Sequence, residues 1–207
     1  VTASALPRLL VLTDRRAVPG SLVDTVRAAV DAGATALVVR ERDLPAAERG
    51  ALADACEGIL AAVGGVCVVA APDPRGGVPQ GLQLRAADPL PGVRPTLLGR
   101  SVHDAGELAR ASAEGLDYVT LSPVAATASK PGYGPALGAA GLRAALGAAG
   151  QGVPPVFALG GVEAGNAAGF VAAGAYGVAV MGGVMRAERP GDVVAGVLAA
   201  VAGVPPA

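Results

Sequence analysis

Short runs of apolar, β-branched residues alternate with longer Ala/Leu-rich amphipathic runs along the whole chain, the pattern of repeated βα units. The runs that read as strands are Leu9–Thr13, Ala36–Arg40, Val66–Ala70, Gly81–Leu84, Thr96–Ser101, Tyr118–Leu121, Pro155–Leu159 and Gly177–Met181. Helical periodicity marks Leu22–Ala32, Pro45–Val63, Ala105–Glu114, Leu142–Ala149, Asn166–Ala173 and Asp192–Ala202. Gly33, Gly64, Gly115 and Gly174 supply the left-handed residue that commonly ends a helix. Asp104, with Glu107 three residues on, reads as a capping box at the start of the Ala105–Glu114 helix. Eight strands within 207 residues predict a compact α/β fold, a (β/α)8 TIM barrel forming one domain over 1–207. A doubly wound sheet has weaker support, because no Gly-x-Gly-x-x-Gly turn follows the first strand. The units after strands 3 and 4 are abbreviated: 71–80 and 85–95 carry too much Pro and Gly for a helix interior.

Composition narrows the classes of function. Sixteen Lys and Arg against seventeen Asp and Glu leave a net charge of −1, without the cationic excess of a nucleic-acid binder. A chain that is 52% hydrophobic and 16% charged is not a disordered one. The longest weakly polar stretch, Ile59 to Ala71, contains a Gly-Gly pair and falls short of the ~18–20 residues of a membrane span. The amino end has no basic segment ahead of its apolar run and does not read as a secretory signal. Cys56 and Cys67 sit in apolar surroundings, in neither a metal-ligand nor a disulfide spacing, and are expected to be buried thiols. The expectation is a cytoplasmic protein with no nucleic-acid or membrane partner; association of identical copies stays open. One lysine, one histidine and one asparagine survive (Lys130, His103, Asn166), the other cationic side chains being arginine.

In such a barrel the chemistry sits at the carboxyl ends of the strands. Those ends bring up Asp14-Arg15-Arg16, Arg40-Glu41-Arg42-Asp43, Arg85 with Asp88, and Ser101 with His103. A long loop from Ser122 to Pro135 follows, containing Thr127, Ser129 and Lys130. Gly160-Gly161 and Gly182-Gly183 come after strands 7 and 8. Glycine pairs at those two positions let backbone amides approach a phosphate. Thr127, Ser129 and Lys130 add hydroxyl donors and a cation. On a continuing strand Arg40 and Arg42 would share a face and grip a second anionic group; the other reading is surface pairing with Glu41 and Asp43. Asn166 reads as a helix N-cap, and His103 has no nucleophile to partner.

Taken in order, these pieces resemble the thiamine phosphate synthase/TenI family over essentially the whole chain. They are Leu12-Thr13-Asp14-Arg15, Val39-Arg40-Glu41-Arg42, Gly99-Arg100-Ser101-Val102-His103 and Asp117-Tyr118-Val119. Ser122-Pro123-Val124, Thr127-Ala128-Ser129-Lys130-Pro131-Gly132-Tyr133, Ala158-Leu159-Gly160-Gly161-Val162, Asn166 and Gly177-Val178-Ala179-Val180-Met181 complete the set. The resemblance implies a thiazole phosphate held by Gly160, Gly161, Gly182, Gly183, Thr127 and Ser129. It implies a pyrimidine pyrophosphate against Arg40, Arg42, Ser101 and Lys130, with Mg2+ stabilising the departing charge.

The chain also departs from that family. The family's Gln is Val38 and its Lys is Arg42, while the Asn-Asp-Arg that ends strand 3 reads Ala70-Ala71-Pro72. Asp88 is then the remaining magnesium carboxylate, and the metal is expected to bind chiefly with the pyrophosphate oxygens. The TenI branch aromatises the thiazole without a metal site, but its histidine after strand 6 reads Pro123 here. Synthase is the leading expectation; a TenI-type tautomerase and a non-catalytic thiazole-phosphate binder remain open.

Overall fold

The computed structural model describes residues 6–73, 76–127 and 135–205. Eight parallel strands pair in chain order, and β1 pairs with β8, so the sheet closes into a barrel. They are β1 (Leu9–Leu12), β2 (Ala36–Val39), β3 (Val66–Ala70), β4 (Gly81–Leu84), β5 (Leu97–Val102), β6 (Tyr118–Leu121), β7 (Val156–Leu159) and β8 (Gly177–Val180). The helices are α1 (Leu22–Asp31), α2 (Ala46–Ala61), α3 (Ala105–Ala111), α4 (Gly138–Ala149), α5 (Ala164–Ala172), α6 (Gly182–Met185) and α7 (Pro190–Ala202). The expected (β/α)8 architecture is what the chain adopts. Among the described residues no helix joins β3 to β4 or β4 to β5, where Pro and Gly had argued against one.

Alternation along the strands divides the core in two. Outward-facing residues such as Val11, Leu37, Leu82, Leu98, Val119 and Val178 pack under the helices. Helix α1 meets them with Leu22, Val26, Ala29 and Val30, one stripe at helical spacing, and the Ser21 hydroxyl caps its start by accepting from Asp24 N–H. Inward-facing Leu10, Leu12, Ala36, Val38, Val68, Leu97, Tyr118, Phe157 and Ala179 fill the barrel. The Phe157 ring stands edge-on between Tyr118 and Tyr176, at centroid distances of 5.6 and 5.5 Å. Val38, where the resembled family carries Gln, belongs to this interior packing.

The two helix-free connections are secured by other means. Between β3 and β4, Asp73, Val78 and Gln80 line an open cleft of about 700 Å³ on the barrel's flank with Glu57 of α2 and Gly65. That cleft lies toward the amino ends of β3 and β4, away from the catalytic rim expected of the fold. On the other connection, buried Arg100 donates from Nη1 to the carbonyls of Arg85, Ala86 and Asp88, while its Nε binds Glu114 at 2.6 Å. No helix among the described residues is long and apolar enough to cross a membrane.

Short elements account for most of the differences from expectation. Helix α6 was not expected, since Gly182-Gly183 has low helical propensity; it is a single turn held by Met185 N–H on Met181 C=O. Helix α4 starts at Gly138 rather than Leu142, for the same reason. Asp104 caps α3 as expected, but Glu107 reaches back to His103 N–H instead of completing the box at Asp104.

Two measurements test this packing. Phe157→Ala should cost about 3–5 kcal/mol, read from urea unfolding with unchanged m-value, because both neighbouring rings would face a void. Burial pushes the Cys56 thiol up to about 12. A thiol-reactive dye at about pH 8 should therefore label Cys56 only once the protein unfolds, and rapid labelling of the native chain would contradict its burial.

Candidate active site at the carboxyl rim of the barrel

At the β1–β2 edge the side chains sort by charge. Buried Glu41 accepts from Arg15 N–H at 3.0 Å and pairs with its guanidinium at 3.3 Å. Asp43 pairs with Arg15 at 2.8 Å and with Arg16 at 2.6 Å, and the Arg15 contact holds its carboxyl below the usual range. The acids flanking Arg40 and Arg42 in sequence are thus taken by arginines from the end of β1, not by Arg40 and Arg42. The strand does not continue through them: β2 stops at Val39, and Arg42 N–H turns back onto Arg40 C=O. Arg40, its own N–H anchored on Thr13 Oγ1, extends toward Met181 Sδ beyond β8. Arg42 leans the other way, donating from Nε to Ala71 C=O at 3.2 Å and from Nη2 to Gln83 C=O at 3.4 Å. Burial, and next to it the charge of Arg85, holds the Arg42 guanidinium below its ordinary pKa.

The middle of the rim is a polar network facing into the barrel. Gln83 Nε2 donates to Ser101 Oγ at 3.1 Å and to Thr120 Oγ1 at 3.4 Å, and its Oε1 accepts from the Tyr118 hydroxyl. Burial drives the Tyr118 phenol upward, so it stays a donor. Gly99 makes room: a Cβ there would run into the Tyr118 ring and Gln83 Oε1. Ser101 thus reaches the rim at the end of β5 with its hydroxyl oriented from below. Sequence reasoning passed over Gln83, whose signal was a polar side chain in phase with the inward face of a buried strand.

On the far side the donors are backbone. Gly160 and Gly161 hold φ of +97° and +66°. A Cβ on Gly161 would strike Ala126 C=O and Ala125, because the loop after β6 lies directly against this turn. Ala125 N–H donates to Gly160 C=O at 2.9 Å, which brings Thr127 alongside. Asn166 is not the N-cap. Glu163 is, and Asn166, three residues on, accepts from Glu163 N–H and donates to Gly161 C=O, both at 2.9 Å, clamping the glycine turn. Gly182 and Gly183 open α6, where first-turn amides have no intrahelical acceptor, and the Arg186 guanidinium packs over Gly182. Ser129 and Lys130 lie outside the described residues.

Two more residues stand at the rim. His103 Nδ1 lies 3.0 Å from Glu107 Oε2, which orients the imidazole. Asp88 Oδ2 accepts from Arg85 N–H at 2.8 Å, and its Oδ1 is 4.0 Å from the Arg85 guanidinium. Among the described residues no three His, Cys, Asp or Glu side chains come together as metal ligands.

The molecule is a (β/α)8 barrel whose carboxyl-end rim carries side-chain cations after β2 and β4 and glycine turns after β7 and β8. A family described as thiamine monophosphate synthase matches residues 85–184. The thiamine-phosphate synthase of Roseiflexus castenholzii is 34% identical over 194 residues, covering 87% of this chain and 82% of its own. That of Moorella thermoacetica is 34% identical over 176 residues, covering 80% and 81%. A thiamine phosphate pyrophosphorylase from Pyrococcus furiosus superposes with a TM-score of 0.81 at 27% identity, over 95% of this chain and 96% of its own. The chain belongs to the thiamine-phosphate synthase family, a family of transferases in thiamine biosynthesis.

Gly161→Ala should cost about 1–3 kcal/mol in urea unfolding, since both the left-handed φ and the Ala126 carbonyl oppose a side chain. Gly165→Ala, where a Cβ meets open space, should be neutral or mildly stabilising and serves as the control.

Proposed function

We propose that this chain couples hydroxymethylpyrimidine pyrophosphate with thiazole phosphate to give thiamine phosphate and pyrophosphate. The observation that carries the reading is the meeting of two kinds of anion-binding donor on one barrel mouth. Arg40 and Arg42 stand just after β2, Arg40 reaches past β1 to Met181 at the head of the Gly182-Gly183 turn, and the Gly160-Gly161 turn lies one strand further round the same rim. The thiazole phosphate belongs on the glycine amides, with Thr127 and Ser129 adding hydroxyl donors. The diphosphate belongs on Arg40 and Arg42, with Ser101 and Lys130 completing its shell. The carbon–oxygen bond to the diphosphate breaks, and the leaving group takes the electron pair. The methylene cation left on the pyrimidine is then captured by the thiazole nitrogen, forming the carbon–nitrogen bond. Guanidinium and ammonium groups stabilise the charge that develops on the leaving oxygens. These substrates are small phosphorylated molecules, and two reduced, buried cysteines suit a cytoplasmic enzyme.

The family's magnesium fits this rim poorly. Asp88 is its remaining carboxylate candidate and already accepts from Arg85 N–H. Position 71 is Ala, and its carbonyl is occupied by Arg42. Asp73 lines the flank cleft rather than the mouth. Such a donor set does not make a resident octahedral site; a magnesium ion would enter as the diphosphate's own counter-ion, with Asp88 as its protein carboxylate. One arrangement favours a second reading: the Glu107-oriented His103 is a base that a TenI-type tautomerase lacking its usual histidine would need.

Incubation with both substrates and mass-spectrometric detection of product separates these readings. Stoichiometric thiamine phosphate and pyrophosphate are expected. Arg40→Ala should lower kcat by about 10²-fold, and Lys130→Ala should lower turnover more than Lys130→Arg, which keeps a cation. Thiazole isomerisation without coupling would establish the tautomerase, and thiazole phosphate binding with no turnover of either kind a non-catalytic binder.

A further inference from the structure

The β2–β4 side of the rim carries more cationic charge than the proposed reaction has so far used. Arg42 reaches over the ends of β3 and β4 to Ala71 C=O and Gln83 C=O. Arg85 leaves β4 two residues after Gln83, and its charge is the strongest one acting on Arg42. Arg49 of α2 comes up from behind: only 7% exposed, it donates from Nη2 to Pro72 C=O at 2.7 Å, the carbonyl next to the one Arg42 holds. Its Nε is buried with no hydrogen-bond partner. Arg40, its head group turned toward Met181, acts on Arg42 more weakly from the β2 end.

Against these four guanidinium groups Asp88 is the carboxylate that bears most on Arg42, and Glu41 and Asp43 are engaged by Arg15 and Arg16. Arg85 is not committed to Asp88 either. Its head group is at the 4.0 Å limit of that pair, its side chain is 59% exposed, and Asp88 is held instead by the Arg85 backbone N–H. Clustering like charges beside partly buried groups is unfavourable until an anion of matching charge arrives. Planar guanidinium forks suit phosphate oxygens, and the same field disfavours a free divalent cation at this spot.

We propose that Arg85 joins Arg40 and Arg42 as a direct ligand of the diphosphate, and that this guanidinium cluster holds the group without a divalent metal. Arg49 stands behind them, adding positive charge and holding the Pro72 carbonyl. The inference rests on the coupling reaction proposed above, but its test reads binding separately from turnover.

The probe is inorganic pyrophosphate titrated calorimetrically into the full chain, in excess EDTA and again in excess MgCl2. Affinity in EDTA is expected within about threefold of that in magnesium. Arg85→Ala should weaken binding in EDTA by about tenfold or more, the usual loss of a charge-assisted contact, and Arg85→Lys should recover part of it. Arg85 is exposed, so these variants should fold, which far-UV circular dichroism checks. Arg94→Ala, at an arginine paired with Asp117 away from this cluster, should leave binding unchanged. Pyrophosphate binding that appears only with magnesium, or an Arg85→Ala protein that binds as tightly as the parent, would overturn the proposal. Thiamine phosphate formation, measured on the same samples, tells the two readings apart. Turnover with magnesium-dependent pyrophosphate binding leaves the coupling reaction standing and removes this inference. Metal-free, Arg85-dependent binding with no product supports the cluster as a diphosphate site and removes the coupling reaction.

Discussion

Pairing of β1 with β8 is the contact on which the rest of the molecule depends. Leu9, Leu10 and Val11 meet Val178, Ala179 and Val180 in parallel register, and the sheet then has no edge. Because every strand runs the same way, all eight carboxyl ends share one rim. Arg40 and Met181, 141 residues apart in sequence, come into contact there. Each side chain at the rim gains its neighbours from strand order and register, so a slip of one residue would exchange the filled interior for the helix-facing surface.

Inside the barrel the packing changes character from one end to the other. The lower levels are apolar and organised around the Phe157 ring; the level nearest the mouth is the Gln83–Ser101–Thr120 network. Buried polar groups are tolerable there because they satisfy one another, and the Tyr118 hydroxyl closes the network from beneath. That shared support fixes the Ser101 hydroxyl at the floor of the mouth. The anion-binding groups of the mouth then differ in kind: side-chain cations after β2 and β4, and backbone donors on glycine turns after β7 and β8. A diphosphate that must leave suits the first, and a phosphate that only anchors its molecule suits the second.

Loss of helices after β3 and β4 shifts structural duty onto arginines. Arg100, turned outward and buried, gathers three carbonyls of the β4–β5 connection and is neutralised by Glu114. Removing Glu114 would leave the buried Arg100 charge uncompensated, a larger penalty than the loss of a surface pair. The same connection carries Arg85 and Asp88, so a residue pointing away from the mouth decides where two mouth residues stand.

The alternation of β-branched and Ala/Leu-rich runs determined eight strands in the right places, most helices, and, among the described residues, the absence of helices in 71–80 and 85–95, because periodicity and Pro/Gly content are local properties. It also determined which residues sit at strand ends, including Arg40, Ser101, Gly160 and Gly182. Partner choice was another matter. Sequence adjacency left open whether Glu41 and Asp43 pair with Arg40 and Arg42; in the fold the β1 end supplies Arg15 and Arg16 to take those carboxylates. Asn166 looked like a cap for its own helix, yet its amide closes the Gly161 turn before that helix. Gln83 gained its role only when β5 and β6 presented Ser101 and Thr120 to it. A hydrogen bond or ion pair is set by distances of a few ångströms between atoms far apart along the chain, and only closure of the barrel fixes those distances.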